Sequence, residues 1–446
     1  MRGSRLVRVY LAPVGCPKAN VDLEKSAWAI TRAGFDLAPS ADQADFVVVF
    51  TCGFIDDAKR ESIDQILGYA ALKGRSAVKG IVVAGCLVEK HGADLAREIP
   101  EADLLLGNTS LDRLAAGLRD LAAGKKMQPW APGAFERRSH AGPGRARPAD
   151  RQWTRTVLVS DGCSNGCTYC AIPQMRGPLR SRTIQEVLDE TRLLVSQGAK
   201  EIVLAGQDTA SYGLDTGGPR LAELLAAVAA DGGARWIRLA YASPDNLPDE
   251  VASVIADYPA VCHYVDLPVQ HAAPRVLAAM GRRKDAGALR QVIASLRGGV
   301  PDIALRTSVI VGFPGETEAD FGALVEFLAE QRFDMAGVFR FSPQEGTPAA
   351  GLPSRVPAYV AEERLIEVTT LQVEIARDKA AEVLGREVEM LVEEVRGGVA
   401  IGRSQYDMAE VDRSITVRGR GVAPGEFARV RLEGCGGPYE FLGVPV

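Results

Sequence analysis

Residues 156–170 read TVLVSDGCSNGCTYC, an apolar run followed directly by a loop that carries three cysteines. The run has the β-branched composition of a buried strand, and five similar runs follow it along the chain. Stretches of helical period separate the runs, so this part of the chain predicts an α/β domain of repeated βα units, a partial (β/α)6 barrel. Since a closed barrel of this kind has eight strands, the predicted barrel has an open side that would admit a large substrate. The predicted strands are Thr156–Ser160, Glu201–Ala205, Trp236–Ala240, Val261–Leu267, Ala304–Val311 and Met335–Phe339, and the predicted helices are Ile184–Ser196, Leu221–Ala230, Glu250–Asp257, Ala286–Arg297 and Glu318–Glu330.

Three shorter units of the same kind open the chain, each with an apolar run, a cysteine and a helical stretch. Together they predict an N-terminal open parallel α/β sheet. Because the carboxyl ends of parallel strands meet at one edge, where such sheets bind ligands, the three thiols are expected to gather there. The runs are Leu6–Leu11, Phe46–Phe50 and Gly80–Ala84, and the cysteines that follow them are Cys16, Cys52 and Cys86.

A Gly-, Pro- and Arg-rich stretch without sustained period, residues 124–152, is interpreted as an interdomain linker. It holds seven Lys and Arg against two Asp and Glu, a net charge of +5. A solvated connector is the preferred interpretation, and contact with RNA is the alternative. The predicted division is therefore an N-terminal domain over 1–123, the linker over 124–152, and the partial barrel with a connecting helix over 153–384.

The last part of the chain, residues 385–446, predicts a separate small domain. A helical stretch, Ala358–Leu384, ends at Gly385, as helices commonly do. Short alternating runs with Gly-rich turns follow, which are typical of a small antiparallel β-barrel and resemble the TRAM domain. The runs are Val388–Val392, Ile415–Val417 and Ala428–Leu432.

Composition excludes several classes of protein. The chain has 446 residues, of which 47% are apolar and 24% charged, so it is expected to fold into about three packed domains. A net charge of −5 disfavours broad capture of nucleic acid. No apolar run reaches the about 18 residues of a membrane span, and the start lacks a secretory signal pattern, so a cytoplasmic location without a membrane partner is predicted.

The eight cysteines are too few for a disulfide scaffold, so their clustering indicates metal chemistry. Cys163, Cys167 and Cys170 form a C-x3-C-x2-C pattern, in which three thiolates can hold three irons of a four-iron cluster and leave the fourth iron open. An open coordination site is characteristic of a catalytic metal. Zinc is the alternative, but a structural zinc site needs a fourth ligand, and the next candidates, Cys262 and His263, lie far along the chain.

This spacing after the first barrel strand, with Tyr169 before the last cysteine, resembles the radical S-adenosylmethionine superfamily. The resemblance implies a [4Fe-4S] cluster on the three cysteines, with S-adenosylmethionine chelating the open iron. One electron from the cluster would then cleave the sulfonium to give a 5′-deoxyadenosyl radical. The resemblance also implies that Gly206 and Gln207 contact the methionine moiety and that Gly312 lies near adenine; turn glycines with a purely structural role are the alternative.

Cys16, Cys52 and Cys86 could be ordinary buried thiols. Their equivalent positions, and the helix N-termini that would stabilise thiolates there, favour a second three-cysteine cluster instead. Three N-terminal cysteines, the radical motif and a terminal barrel together resemble the methylthiotransferases over nearly the whole chain. In that family the second [4Fe-4S] cluster carries the sulfur that is inserted.

Four segments resemble the RimO-type branch of that family, which modifies a ribosomal protein, more than the transfer-RNA branch. They are GCPK at 15–18, AGQDT with Tyr212 and Gly213 at 205–213, DLPVQH at 266–271 and DMAEVD at 407–412. One departure is Ala19, where the family has Asn. Residues 386–446 hold eight Arg against ten Asp and Glu, a net charge of −2, which suits a basic protein substrate better than RNA.

The resemblance thus implies a transferase that adds a methylthio group to the β-carbon of an aspartate in the twelfth small-subunit ribosomal protein, either free or on the ribosome. Its cofactors would be two [4Fe-4S] clusters and S-adenosylmethionine, with an electron donor of unknown identity. The alternatives are methylthiolation of adenosine in transfer RNA and an electron carrier without catalytic turnover.

The remaining histidines and cysteines are assigned no chemistry. Hydrogen abstraction by a radical needs no general base, so His271 and His263 are expected to make structural or cofactor hydrogen bonds. Cys262, in a predicted buried strand, and Cys435, in a predicted Gly-rich turn, have no partner thiol at ligand spacing and are expected to be inert.

Overall fold

The computed structural model of the protein describes residues 6–13, 17–125, 135, 144–146, 153–418 and 422–446. Within this part of the chain, no helix is both long and apolar enough to cross a membrane. Two α/β sheets and a small barrel follow one another in the sequence. The predicted fold class, an N-terminal open parallel sheet, a partial (β/α)6 barrel and a small C-terminal barrel, is confirmed.

The N-terminal sheet has five parallel strands in the order β2-β1-β3-β4-β5. Every residue of its two central strands is buried, as expected where helices cover both faces of a parallel sheet. Two apolar clusters, one on each face, pack the helices against the sheet. The strands are β1 (Arg8–Ala12), β2 (Asp36–Leu37), β3 (Phe46–Thr51), β4 (Gly80–Gly85) and β5 (Leu104–Leu106), and the helices are α1 (Pro17–Arg32), α2 (Asp56–Ala70), α3 (Cys86–Glu98) and α4 (Leu114–Ala122).

The second sheet has six parallel strands in the order β13-β12-β11-β10-β9-β6, which is the predicted partial barrel. Its strands are β6 (Thr154–Leu158), β9 (Glu201–Ala205), β10 (Trp236–Leu239), β11 (Val261–Asp266), β12 (Ala304–Val311) and β13 (Met335–Arg340). A two-stranded ribbon, β7 (Ser160–Asp161) with β8 (Arg180–Ser181), lies between β6 and β9 in the chain. The first barrel strand thus ends before Ser160, and Ser160 belongs to this ribbon.

Helices connect the barrel strands, and their apolar faces form one large core with the sheet. Side-chain caps fix where several helices begin: Thr183 and Glu186 form a capping box at the start of α6, and Thr317 and Asp320 form another at the start of α11. The helices are α5 (Ile172–Arg176), α6 (Ile184–Ser196), α7 (Leu221–Asp231), α8 (Glu250–Asp257), α9 (Pro274–Ala279), α10 (Ala286–Gly299), α11 (Glu318–Gln331) and α12 (Ala358–Glu382).

The C-terminal strands form a closed five-stranded barrel in the order β14-β15-β16-β18-β17. The predicted antiparallel pairing holds for four of the strand pairs, and β16 with β18 is parallel. Closure leaves the sheet without free edges. The strands are β14 (Glu387–Arg396), β15 (Val399–Ser404), β16 (Ser414–Arg418), β17 (Phe427–Gly437) and β18 (Glu440–Pro445). Cys435 lies within β17, opposite Phe441, so its predicted position in a turn is wrong.

Buried ion pairs join α1 to the barrel. Glu24 of α1 contacts Arg155 of β6 at 2.5 Å, and it also pairs with Arg145. Arg145 belongs to residues 124–152, yet its side chain is 1% exposed and also binds Glu190 of α6 at 2.7 Å. At Arg145, therefore, the interpretation of this stretch as a solvated connector is wrong: partners distant in sequence make it a buried cation. The other residues of the stretch lie mostly outside the described residues.

Candidate metal and cofactor site

Cys163, Cys167 and Cys170 lie in a loop between the ribbon strand β7 and helix α5, at the carboxyl edge of the barrel sheet. All three thiols are half-buried. The loop begins at Gly162, which has a positive φ of +73° and whose backbone touches residue 178 so closely that a Cβ would lie 2.0 Å from the Pro178 carbonyl oxygen. Only glycine fits this position, so the backbone itself dictates the start of the loop.

A buried polar network ties this loop to the next barrel strands. Asn165, inside the cysteine motif, donates a 2.7 Å hydrogen bond to the Asp208 carboxylate, which follows β9. Asn246, which follows β10, donates to Asp208 at 2.8 Å and to the Asn165 side-chain oxygen at 2.7 Å. Ser211 also donates to Asp208. Because these polar side chains are hydrogen-bonded to one another, the network fixes the cysteine loop relative to the sheet edge.

The loop is held from the opposite side by the segment after helix α9. Thr168 donates its backbone N–H to the Met280 carbonyl at 3.0 Å. Burial lowers the pKa of Arg282 and raises that of Tyr169, and interaction with the Cys167 thiol raises both, so these two side chains lie near that thiol. The Arg282 side chain is 4% exposed and pairs with Asp245 at 3.0 Å.

Burial raises the pKa of the Cys163 thiol to about 11 and that of Cys170 to about 12, although backbone N–H groups of Asn165 and Ile172 donate to these sulfurs and oppose the shift. Burial likewise raises the pKa of Tyr169. Thiolates in such surroundings need positive charge to form, and bound iron provides it. Within the described residues, no three His, Cys, Asp or Glu side chains converge on one metal ion. An iron–sulfur cluster does not require the three sulfurs to converge on one point, because each thiolate binds a different iron atom and the sulfurs therefore lie further apart.

Cys52 directly follows β3, and Cys86 directly follows β4 as the first residue of α3. Both are half-buried and lie at the carboxyl edge of the N-terminal sheet, where the sequence places them. Asn108 donates to the Cys86 sulfur at 3.2 Å and to the Met175 carbonyl of α5 at 2.9 Å. The N-terminal thiols are thereby connected to the helix that follows the barrel cysteine loop. Cys16, the third predicted ligand, lies outside the described residues.

The two cysteine sets are also linked by Arg176 of α5. Its side chain is 4% exposed and pairs with Asp22 of α1 at 2.7 Å. It also lies 3.6 Å from Asp161, at the start of the cysteine loop. The negative charge of a Cys86 thiolate raises the pKa of this guanidinium further, which places Arg176 near the N-terminal thiol as well.

Whether the barrel fits S-adenosylmethionine can be tested on its buried polar atoms. After four adjacent strands, β6, β9, β10 and β11, a buried side-chain atom has no hydrogen-bond partner among the described residues. They are Ser160 Oγ, Gln207 Oε1, Ser243 Oγ and His271 Nε2. Buried polar atoms are normally paired, so four at one sheet edge indicate a polar ligand. The amino, carboxylate and hydroxyl groups of S-adenosylmethionine are of this kind, and the residues fit the cofactor.

The glycines singled out in the sequence lie at strand ends. Gly206 follows β9, and a Cβ there would lie 2.7 Å from Ser160 Oγ. Gly312 follows β12 with a φ of +75°, and a Cβ there would lie 2.7 Å from the Ala361 Cβ of α12. Gly312 therefore allows α12 to pack closely against the end of β12.

Both described histidines of the barrel strands make contacts within the protein. His271 is fully buried and accepts a hydrogen bond from the Ala273 backbone through Nδ1 at 3.0 Å. His263 Nδ1 lies 2.6 Å from Asp302. Burial raises the pKa of Cys262 to about 12, which agrees with an inert thiol.

Sequence reasoning missed the residues that hold the site from a distance. Asp208 and Asn246 were not identified as site residues, although Asp208 lies in the quoted AGQDT segment. Arg176 and Arg282 were also missed, and so was Asn108. The available signal was a polar residue shortly after a strand, which marks the carboxyl edge of a parallel sheet.

Three family models match successive parts of the chain. Residues 8–107 match "Uncharacterized protein family UPF0004", residues 157–328 match the Radical SAM superfamily, and residues 384–446 match the TRAM domain. A protein of Anaeromyxobacter sp. (strain Fw109-5) called "Ribosomal protein uS12 methylthiotransferase RimO" is 41% identical over 98% of this chain and 92% of its own length. The chain belongs to the RimO family of ribosomal protein uS12 methylthiotransferases.

Other relatives agree with this assignment. A protein of the same name from Thermotoga sp. (strain RQ2) is 39% identical over 96% of this chain and 97% of its own length. The resemblance to methylthiotransferases of the ribosomal-protein branch is thus confirmed. The cofactors of this family of transferases are those that the sequence predicted, S-adenosylmethionine and [4Fe-4S] clusters.

Solved structures support the fold. The radical S-adenosylmethionine methyltransferase TsrM from Kitasatospora setae, solved with cobalamin and a [4Fe-4S] cluster, aligns with a TM-score of 0.57 at 16% identity, over 95% of this chain and 80% of its own. The cobalamin-dependent S-adenosylmethionine radical enzyme OxsB aligns with a TM-score of 0.52 at 12% identity, over 82% of this chain and 56% of its own.

Proposed function

We propose that this chain replaces a hydrogen on the β-carbon of an aspartate in ribosomal protein uS12 with a methylthio group. The observation that carries the proposal is the 41% identity to a uS12 methylthiotransferase over nearly the full length of both chains. The arrangement of the cysteines supports it, because Asn108 connects Cys86 of the N-terminal set to α5, the helix that follows the barrel cysteine loop. We further propose that the reaction takes place in the cytoplasm, where ribosomal proteins are found, with reduction by an electron donor of unknown identity.

The division of labour between the sites follows from the residues. Cys163, Cys167 and Cys170 would hold one [4Fe-4S] cluster, and Cys52 and Cys86 would hold the other together with Cys16. When bound, the clusters and S-adenosylmethionine supply one-electron reduction, a carbon-centred radical and the sulfur and methyl that are transferred.

The rest of the protein positions these groups. The Asp208 network sets the cysteine loop against the strand ends, and Arg282 holds Cys167 from the other side. Ser160, Gln207, Ser243 and His271 would pair with the polar groups of S-adenosylmethionine, with Tyr169 beside them. Gly206 leaves room for the cofactor at the end of β9. We also infer that the four segments 1–123, 124–152, 153–384 and 385–446 are the N-terminal domain, linker, radical domain with its connecting helix, and TRAM domain.

Mass spectrometry of uS12 tests the proposal. Anaerobic incubation of uS12 with the cluster-loaded enzyme, S-adenosylmethionine, sulfide and a reductant should add CH₂S to uS12, and the gain should map to one aspartate. An unchanged uS12 together with methylthiolated adenosine in transfer RNA from the same reaction would contradict it. Formation of 5′-deoxyadenosine separates an enzyme from an electron carrier.

Iron analysis tests the site residues. Two four-iron clusters predict about eight irons per chain. A Cys86→Ser variant should keep about four, because the barrel thiols remain. A Cys262→Ser variant is the control, since this buried thiol lies apart from both sets, and it should keep the full content. Retention of all iron by the Cys86 variant would remove that residue from the ligand set.

A further inference from the structure

The two outer strands of the barrel sheet, β6 and β13, differ in how their backbone edges are satisfied. Along β6, the Thr156 carbonyl accepts a 2.8 Å hydrogen bond from the Arg145 side chain. Two residues further on, the Leu158 carbonyl accepts a 2.7 Å hydrogen bond from the Arg182 side chain. Charged side chains thus block this edge against another strand, as is usual in natural sheets.

Among the described residues, nothing of this kind covers the edge of β13. Within that part of the chain, the backbone of Met335–Arg340 makes hydrogen bonds with β12 and with no other element. Alternate residues of an edge strand direct their N–H and C=O groups away from the sheet, where another chain can pair with them. The one charged residue of the strand, Arg340, is held by Glu362 of α12 at 2.8 Å. The edge of β13 can therefore accept a further strand.

Exposed apolar side chains border the free edge. Val338 packs into the helix-covered core of the barrel, so Phe339 lies on the opposite face of the strand, where it is 49% exposed. Tyr359 and Ile366 of α12 are also exposed, and they share a helix face with Glu362, the partner of Arg340. Several such residues together mark a contact surface, whereas a single one does not.

The free edge leads to the cysteines. In the segment that follows β13, the Ala349 N–H donates a 2.9 Å hydrogen bond to the carbonyl of Thr168, within the barrel cysteine loop. In the same segment, Ser342 donates a 3.4 Å hydrogen bond to Asp56, the first residue of α2, which follows Cys52 by four residues. The six residues of β13 span about 20 Å, so a chain paired along this strand would reach the carboxyl edge of the sheet.

The helix beside this edge is acidic. α12 has six Asp and Glu residues against three Arg and Lys, and one of the three, Arg364, is buried and paired with Glu316. Glu363 and Glu367 are exposed. Such a surface repels the phosphates of RNA and attracts a basic chain. Ribosomal proteins are typically basic because they bind RNA, so the charge of this helix suits the proposed substrate.

Building on the proposed function, we propose that an extended, basic segment of uS12 adds to the free edge of β13 as a seventh strand of the barrel sheet. Main-chain hydrogen bonds supply affinity and fix the register, and Phe339, Tyr359 and Ile366 contact its apolar side chains. The pairing brings the target aspartate to the carboxyl edge, where the barrel cysteine loop lies. The open side of the barrel is thus the recognition surface for the protein substrate.

Hydrogen–deuterium exchange of the cluster-loaded enzyme tests the proposal, with saturating S-adenosylmethionine and no reductant, so that no turnover occurs. Saturating uS12 should slow the exchange of the outward amides of Met335–Arg340 by about tenfold or more, the effect of a newly formed hydrogen bond. Asp36–Leu37, the edge strand of the N-terminal sheet, is the internal control and should exchange at an unchanged rate. Unchanged exchange of β13 with uS12 bound would overturn the proposal, as would protection of β13 by transfer RNA.

Two matched variants test the edge itself. Phe339→Lys introduces a charge that disfavours strand pairing and repels a basic partner, so the Kd for uS12 should rise about tenfold and the protection of β13 should be lost. Leu37→Lys makes the same change at an exposed residue of β2 and should keep wild-type binding. Equal weakening by both variants, or by neither, would overturn the proposal. Should Phe339→Lys lose iron, Phe339→Ser is read in its place.

The charge of α12 is tested in the same binding measurement. Glu363→Gln/Glu367→Gln should weaken uS12 binding several-fold at low salt, and the difference should vanish at about 1 M salt, where exposed charges are screened. Glu250→Gln/Asp257→Asn removes the same charge from exposed positions of α8 and should bind as the wild type does. Equal effects of the two pairs would overturn the assignment to this face. Failure of the proposed function gives a different result, because uS12 would then gain no CH₂S from the wild-type enzyme.

Discussion

The Arg282 guanidinium pairs with the Asp245 carboxylate, 3.0 Å away, and also interacts with the charge of the Cys167 thiol. The Arg282 side chain is 4% exposed, so both interactions lie in surroundings of low dielectric, where charge acts strongly. Hydrogen bonds to the sulfurs and nearby charge are among the factors that set the reduction potential of an iron–sulfur cluster.

Replacing Arg282 with methionine is therefore expected to lower the reduction potential of the barrel cluster. Reduction adds negative charge, and the guanidinium stabilises it. A tenfold change in the reduction equilibrium corresponds to about 59 mV for one electron, and a shift of at least this size is expected. The measurement is a redox titration followed by electron paramagnetic resonance, in a Cys52→Ser/Cys86→Ser background that retains the barrel cluster alone.

Arg290→Met is the control, because Arg290 is exposed and pairs with Glu330 of α11, away from the cysteine loop. Its potential should equal that of the parent. Equal potentials for the Arg282 variant and the parent would show that the Arg282 charge does not tune the cluster.

The longer elements were predictable because local signals determine them. The predicted bounds of Ile184–Ser196, Glu201–Ala205 and Ala304–Val311 are those observed. The capping box of Thr183 marks the start of the first, and β-branched runs mark the two strands. Elements such as Leu104–Leu106 and Ile172–Arg176 were missed, because segments this short form only when the rest of the fold pairs with them.

The residues of the candidate site likewise fall into two groups, those that the local sequence predicts and those that only the fold brings together. Cys163, Cys167 and Cys170 are close in sequence, so their spacing alone predicts a shared metal site. Asp208 and Asn246 come next to the cysteine loop only through the order of the barrel strands, which a single sequence does not reveal. The burial of Arg145 depends on Glu24 and Glu190, 121 and 45 residues away, and this is why its stretch was interpreted as a solvated connector.

Substituting Gly162 with alanine should release the barrel cluster. The added Cβ would lie 2.0 Å from the Pro178 carbonyl oxygen, so the loop must shift and move Cys163. About four of the eight irons per chain should be lost, as measured by iron and sulfide analysis after anaerobic purification. Gly34→Ala is the control: its φ is +93°, but no described atom lies within 4 Å of the added Cβ. It should cost about 1–2 kcal/mol of stability and no iron.

Glu201 is a buried anion between two arginines, and its neutralisation should destabilise the contact between the barrel and the C-terminal domain. Its side chain is 0% exposed, bonds to Arg238 at 2.6 Å and pairs with Arg403 of β15. Glu201→Gln leaves buried positive charge uncompensated, which costs about 3–5 kcal/mol. Chemical denaturation measures this loss. Glu389→Gln, which removes the partly exposed partner of the exposed Arg235, should cost less than about 1 kcal/mol, and equal losses would contradict the prediction.

The contribution of Glu201 should also depend on pH. Burial alone would raise the pKa of its carboxyl, but the charges of Arg403 and Arg238 lower it to about 2, below the ordinary value of 4.5. The folded state therefore binds the proton less readily than the unfolded state does. The contribution of Glu201 to the free energy of unfolding is fully present above pH 4.5 and is lost as the pH falls towards 2. The difference in unfolding free energy between wild type and Glu201→Gln should shrink over this range.

His271 should remain a neutral imidazole throughout the physiological pH range. Burial lowers its pKa from 6.5 to about 4, and Nδ1 accepts the Ala273 N–H, so the ring has no proton on that nitrogen. As the pH falls, the unfolded state binds a proton on His271 before the folded state does, so protonation favours unfolding. The free energy of unfolding is therefore unaffected by this group above pH 6.5 and decreases as the pH falls from 6.5 towards 4. Nuclear magnetic resonance of histidine-labelled protein should show a His271 signal, identified by its loss in His271→Gln, that stays constant between pH 8 and pH 6. A midpoint within this interval would contradict the prediction and would indicate that the buried Glu316 carboxylate, whose Oε2 lies 3.8 Å from Nε2, stabilises the protonated ring.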